Sequence, residues 1–190
     1  MIKIIKIIDI IILNYLLFRY ELNRPRDEIV SLLKARGNVR LDSKKFKDSI
    51  EDLNEALKLM SVDGEKEDGT GRYPEYVDTF VQRGLVYEGL AEWNLALKDY
   101  NKAIELWGGG RESNVNPYVL VFRGNVLNRL NNWSDAVKDY NAASSLFLQQ
   151  KDISGYSDAR ANEALALYQI GDIDNSVKAM NDGKNLKKKK

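Results

Sequence analysis

The sequence predicts an all-α fold, a solenoid of about four helical hairpins preceded by an apolar N-terminal helix. Three observations predict it. First, Gly84, Tyr87, Trp93, Ala96, Asp99, Tyr100, Asn101 and Ala103 recur 40 residues later as Gly124, Leu127, Trp133, Ala136, Asp139, Tyr140, Asn141 and Ala143. A unit this short cannot bury its own apolar face and has to stack on neighbouring copies. Second, apolar residues recur at helical spacing from Arg26 onward and are interrupted by glycine-bearing polar loops. Third, a hydrophobic fraction of 44% and a charged fraction of 30% suit a globular helical chain of 190 residues, long enough to bury a sizeable core.

The elements follow in order. Residues 1–24 form an apolar segment dominated by isoleucine, with Lys3, Lys6, Asp9 and Asn14 breaking the run. Its uncharged stretches are shorter than the roughly 20 apolar residues that span a bilayer. No small-residue cleavage site follows, because Arg19-Tyr20-Glu21 stands there. Three readings remain for this segment: a buried helix capping the first hairpin, a membrane-associating helix, or a poorly defined start of the reading frame. The repeat region is expected over 25–183, with hairpins at about 29–60, 75–107, 117–148 and 154–183, and a basic tail over 184–190. Asp27 and Glu28 lie in the first turn after Pro25, where negative charge favours a helix start. Pro74 and Pro117 open later first helices, where a missing N–H is harmless. The loops Ser61–Tyr73 and Gly108–Asn116 are polar and glycine-rich.

Composition excludes several kinds of chemistry. The chain has no cysteine, which removes disulfides, thiol catalysis and thiolate metal sites. It has no histidine, which removes the commonest general base and zinc ligand. No nucleophile–base–orienter set can be assembled from the rest. No enzymatic activity, catalytic residue, cofactor or metal site is therefore expected. A net charge of +1 gives no global field for nucleic acid. The loops Asp68–Arg72 and Gly108–Arg111 lack the lysine-serine/threonine ending of a phosphate-cradling loop and follow no strand. Asp99 and Asp139 fall at equivalent sites in separate repeats, and the expectation is that they cap or solvate their helices.

The block Gly84…Tyr87…Trp93…Ala96…Tyr100…Ala103 resembles the tetratricopeptide repeat (TPR). The pattern has a physical basis. Small residues sit where two helices cross closely, and large aromatics fill the gaps between neighbouring hairpins. The flanking units fit more loosely. Upstream, Gly37, Phe46, Ile50, Leu53 and Ala56 keep the spacing while Ser49 replaces the first alanine; downstream, Ala164, Leu167, Gly171, Ile173 and Val177 do so with Ser176. The repeat is usually about 34 residues. Here the steps Gly37 to Gly84, Gly84 to Gly124 and Gly124 to Ala164 are 47, 40 and 40, the excess lying in the loops. Pentatricopeptide repeats share the hairpin and bind RNA. They lack the aromatic-plus-alanine second helix.

The resemblance implies a right-handed superhelix whose first helices line a concave, partner-binding groove. Carried over by register, the lining is Lys34 and Asn38 from the first unit and Asp78, Val81, Leu85 and Glu88 from the second. The third unit supplies Tyr118, Val121, Asn125, Asn128 and Arg129, and the fourth Asn162, Leu165 and Tyr168. Asparagine both donates to and accepts from a peptide backbone, which makes Asn38, Asn125 and Asn162 candidate clamps on an extended segment. Lys34 and Asn38 match the start of the carboxylate clamp of chaperone-binding members, but Gln82, Tyr118 and Phe122 replace the rest. Asp78 and Glu88 argue against RNA on this face.

The expected function is a non-enzymatic protein–protein interaction scaffold holding a peptide segment or partner helix in that groove. The alternative is a membrane-tethered assembly factor of a membrane complex, plastid or photosynthetic, touching the membrane through residues 1–20. The expected compartment is the cytoplasm, with a plastid or membrane-associated location as the alternative.

Overall fold

The computed structural model describes residues 10, 11, 14, 26–61, 73–108 and 115–187. Among these residues the chain is all-α, with eight helices and no strand. They are α1 (Arg26–Asp42), α2 (Phe46–Ser61), α3 (Tyr73–Gly89), α4 (Trp93–Gly108), α5 (Pro117–Arg129), α6 (Trp133–Gln149), α7 (Ile153–Gln169) and α8 (Ile173–Lys187). The chain divides into two compact units, Met1–Glu92 and Trp93–Lys190.

In the first unit α1 and α2 form a hairpin and α3 lies against both. Val30 and Leu33 of α1 meet Ala56, Leu57 and Met60 of α2, and Tyr76 and Phe80 of α3 close over them. Gly37 faces Leu53, whose Cγ would lie 3.2 Å from an added Cβ. Ser49 does not loosen the repeat where it replaces alanine: it is fully buried and donates to the Gly37 carbonyl at 2.7 Å. Ser176 does the same in the last hairpin, donating to the Ala164 carbonyl at 2.8 Å. In both cases a small side chain satisfies its own hydroxyl on the helix it packs against.

In the second unit α4 to α8 pack in chain order, each against the next. One cluster joins Leu127, Ala136, Tyr140 and Ala166, with Leu97, Val121 and Val137 against it. A second joins Ala164, Leu167 and Ala179 with Val137 and Met180. Val137 belongs to both, so the stacking of consecutive hairpins is carried by the repeat's own apolar positions.

The turns repeat as well. Lys44, Asn131 and Gly171 each take a left-handed backbone in the turn between the two helices of a hairpin, with φ of 58°, 61° and 82°, and Ala91 and Lys151 take it in the turns that follow α3 and α6. Asn and Gly tolerate that conformation most readily. The open α5 and α7 starts are closed by Asn116, which accepts from the Tyr118 N–H, and by Asp152, which accepts from the Gly155 N–H.

One expectation is corrected here. Asp139 neither caps nor solvates its helix: it is 5% exposed and held in a fork by Arg123, with Nε–Oδ2 at 2.8 Å and Nη2–Oδ1 at 2.6 Å. Asp99 is buried too. The first unit contains the same device. Asp52 is buried and accepts from Arg36, 16 residues earlier, with Arg40 as a second cation at 2.6 Å. The spare Nη1 of each arginine reaches an asparagine 22 residues upstream, Asn101 for Arg123 and Asn14 for Arg36. In the last hairpin Glu163 takes the position of Arg123 and the polarity reverses. Asn141 now donates to Glu163 at 3.3 Å, and Arg160 bridges Glu163 and Asp182 at 2.6 and 2.8 Å.

The expectations for residues 1–24 lie outside the described residues except at three positions. Ile10 is buried, Ile11 is exposed, and Asn14 accepts from Arg36 at 2.7 Å. Among the described residues no helix is long and apolar enough to cross a membrane.

Candidate functional site

The first helices of the hairpins are neighbours within each unit, α1 beside α3 and α5 beside α7. The register-derived residues therefore fall in two groups. Lys34, Asn38, Asp78, Val81, Leu85 and Glu88 lie on α1 and α3; Asn38 and Asp78 are exposed and the other four half-buried. Arg83, which sequence reasoning passed over, is the anchored cation of that group. Its guanidinium lies 5.5 Å from the Phe80 ring and 5.8 Å from the Tyr87 ring and donates to Asn54 at 2.6 Å.

Tyr118, Val121, Asn125, Asn128 and Arg129 lie on α5, with Asn162, Leu165 and Tyr168 on α7. They divide by what they already touch. Val121 packs into the Leu127–Tyr140 cluster and serves the core. Asn125 accepts from the Tyr140 hydroxyl at 2.8 Å, which fixes its amide and assigns its NH2 end to any further partner. Arg129 stacks its guanidinium 5.8 Å from the Trp93 ring. Asn128 and Asn162 are half-buried. Leu165 and Tyr168 differ from these: they are 56% and 62% exposed, two large apolar side chains held out to water three residues apart on one helix face.

Tyr118 is tied down more firmly than its sequence position suggested. Its ring meets Phe147 edge-on at 4.8 Å and 77°, and its hydroxyl donates to Asp152 at 2.9 Å. Asp152 was missed as a partner because it lies 34 residues away, in the turn before α7. The hydrogen bond to Asp152, then desolvation, then the negative charges of Asp152 and Asp158 raise the Tyr118 pKa above its ordinary value of 10.0. The contact requires the protonated phenol. Its contribution is complete below the ordinary pKa and is lost as pH rises through the higher folded-state value. An NMR titration of the Tyr118 ring should give a midpoint above 10, and Asp152→Asn, which retains the cap, should lower it. Equal midpoints in the two proteins would remove the bond.

No protein-family model matches this sequence, and no curated protein matches it. Solved structures do. The chain is similar to MamA with a TM-score of 0.71 and 19% identity, over 95% of this chain and 87% of that one. It is similar to BtubC (BKLC) from P. vanneervenii with a TM-score of 0.80 and 15% identity, over 92% of this chain and 70% of that one. It is also similar to YrrB, a TPR protein with an unusual peptide-binding site, with a TM-score of 0.61 and 16% identity, over 83% and 68%. The fold is the TPR fold. The small-residue and aromatic positions that define the TPR hairpin are here Gly124, Ala136, Tyr140 and Ala143, all buried within the second unit. Of the first helices in the second unit, α7 carries the exposed Leu165 and Tyr168 together with Asn162, and α5 carries Asn125 and Asn128.

Proposed function

We propose that this protein is a non-enzymatic interaction scaffold that holds a peptide segment or a partner helix against the first-helix faces of its repeats. The observation that carries the reading is the pair Leu165 and Tyr168, 56% and 62% exposed on α7. Large exposed apolar groups on a first helix, with amide side chains on the first helices of the same unit, suit a ligand with both side chains to bury and a backbone to satisfy. Asn125, with its oxygen committed to Tyr140, presents its NH2 to a backbone carbonyl. Arg129, an always-charged donor, lies at the end of the same helix. YrrB, which shares the fold, has a peptide-binding site, and that supports a peptide ligand here.

The test begins with capture of partners on the full-length chain and their identification by mass spectrometry, followed by calorimetry on the captured sequence. Leu165→Ala and Tyr168→Ala should each weaken binding by more than about 1 kcal/mol if they anchor the ligand. Asn125→Ala should weaken it by about 0.5–1.5 kcal/mol. Lys138→Ala, at an exposed position of α6, should leave it unchanged. Normal binding by the α7 variants, or an equal loss with Lys138→Ala, would place the partner elsewhere.

A further inference from the structure

Asparagine holds one place in the register of the second helices: Asn54 on α2, Asn101 on α4 and Asn141 on α6. Each reaches the first helix of the hairpin that follows. Asn54 accepts from Arg83 of α3 at 2.6 Å, and Asn101 accepts from Arg123 of α5 at 3.0 Å. Asn141 instead donates to Glu163 of α7 at 3.3 Å. An amide carries both a donor and an acceptor, so one residue type serves a cation or a carboxylate across the joint. Arg36, Arg83, Arg123 and Glu163 share a register of their own. The pairing is a polar clasp between consecutive hairpins.

Asn14 falls 40 residues before Asn54, in the same register, and makes the same contact. It accepts from Arg36 of α1 at 2.7 Å, across the same 22 residues that separate Asn101 from Arg123. Its neighbours follow the register too. Ile10 matches Ile50, Leu97 and Val137, and Val137 packs with Ala164 and Leu167 of the following first helix. Ile10 is buried and the other three are half-buried. Ile11 matches Glu51, Lys98 and Lys138, and all four are exposed. The backbone is helical at Ile10, Ile11 and Asn14. An accidental contact with Arg36 would explain the asparagine alone, not the buried and exposed positions with it. One position departs: Ile12 stands where Asp52, Asp99 and Asp139 do. Asp52 and Asp139 serve the arginine of their own hairpin. What is kept is the side that meets the following hairpin.

We propose that α1 is a docking surface whose occupant is this chain's own segment around Asn14, seated in the register of a repeat second helix. Arg36 clasps Asn14, and Ile10 is the apolar anchor. Ile11 points to solvent and contributes nothing. Docking of this kind commits the apolar N-terminal stretch to protein, at the expense of the membrane contact that is the alternative for it.

Hydrogen exchange on the full chain, read by mass spectrometry, tests this. In buffer without lipid, the peptide covering Ile10 to Asn14 should exchange at least about tenfold more slowly than the same sequence as a free peptide. Asn14→Arg, which sets like charges together at an exposed site, should abolish that protection. Ile10→Lys should abolish it as well, whereas Ile11→Lys should keep it, as Lys98 and Lys138 are kept in their helices. Protection of α2 serves as the internal control for folding. Vesicles of phosphatidylcholine and phosphatidylglycerol should change none of these results; a segment that enters the bilayer would be weakened by either lysine. Free-peptide exchange in buffer, protection that appears only with vesicles, protection that survives Asn14→Arg, or equal effects of Ile10→Lys and Ile11→Lys would each overturn the proposal.

Discussion

Asp139→Ala is expected to lower stability by about 3–5 kcal/mol, the loss that follows when one partner of a buried ion pair is removed. The carboxylate is 6% exposed and takes two hydrogen bonds from Arg123, whose own side chain is 20% exposed. Without it the guanidinium stays between α5 and α6 and loses both bonds of the fork, while Asn101 at 3.0 Å still accepts from its Nη1. Partial access of water to Arg123 places the expectation at the lower end of that range. Asp135→Ala provides the contrast on the same helix. Its pair with Lys138 joins side chains 47% and 76% exposed, and such pairs are worth under about 1 kcal/mol. Replacing both members of the buried pair, Arg123→Met with Asp139→Leu, should be far milder than Asp139→Ala, because no charge is then stranded. Urea denaturation of the three variants decides the matter. An Asp139→Ala midpoint no lower than that of Asp135→Ala would show that the fork contributes nothing.

The aspartate pairs also mark where sequence reading stops. The hairpin pattern was legible because size complementarity in this fold is local: Gly37 meets Leu53 and Gly124 meets Tyr140, each 16 residues on, and the partners recur with the repeat. Arg36 with Asp52 and Arg123 with Asp139 have that same separation. Arg83 and Asp99 share it in sequence. The signal was therefore present. A charged residue on a helix reads as solvated, however, until the side of the helix it occupies is known, and only the packing of the neighbouring hairpin supplies that. The candidate face divides in the same way. Register alone places Tyr118, Val121, Leu165 and Tyr168 at similar positions on first helices. It does not reveal that Tyr118, itself 48% exposed, is held by Phe147 and Asp152, or that Val121 serves the core, while the two α7 residues are exposed at 56% and 62%.

Gly124→Leu is expected to cost about 3 kcal/mol or more, at or beyond the upper end of the usual range for overpacking. Even a single added carbon at Gly124 would stand 2.7 Å from Cε1 of Tyr140. That ring cannot swing away easily, being 1% exposed with its hydroxyl bonded to Asn125. Gly124→Ala should be milder. Its gain in helix propensity, about 1 kcal/mol, offsets part of a clash of about 1–3 kcal/mol. The last hairpin shows how the chain accommodates the larger residue. Ala164 occupies the place of Gly124 and Met180 that of Tyr140, and the two belong to one packed cluster. A thin, flexible side chain leaves room for the methyl that a ring would strike. Tyr140→Met should therefore destabilise the native protein, through a lost hydroxyl contact and lost volume, yet destabilise the Gly124→Ala variant less. The coupling should be about 0.5–3 kcal/mol in thermal melts or denaturant titrations of the four-member cycle. Strict additivity would mean that the glycine is not there for the ring, and a Gly124→Leu protein with an unchanged melting temperature would show that the helices do not cross at this point.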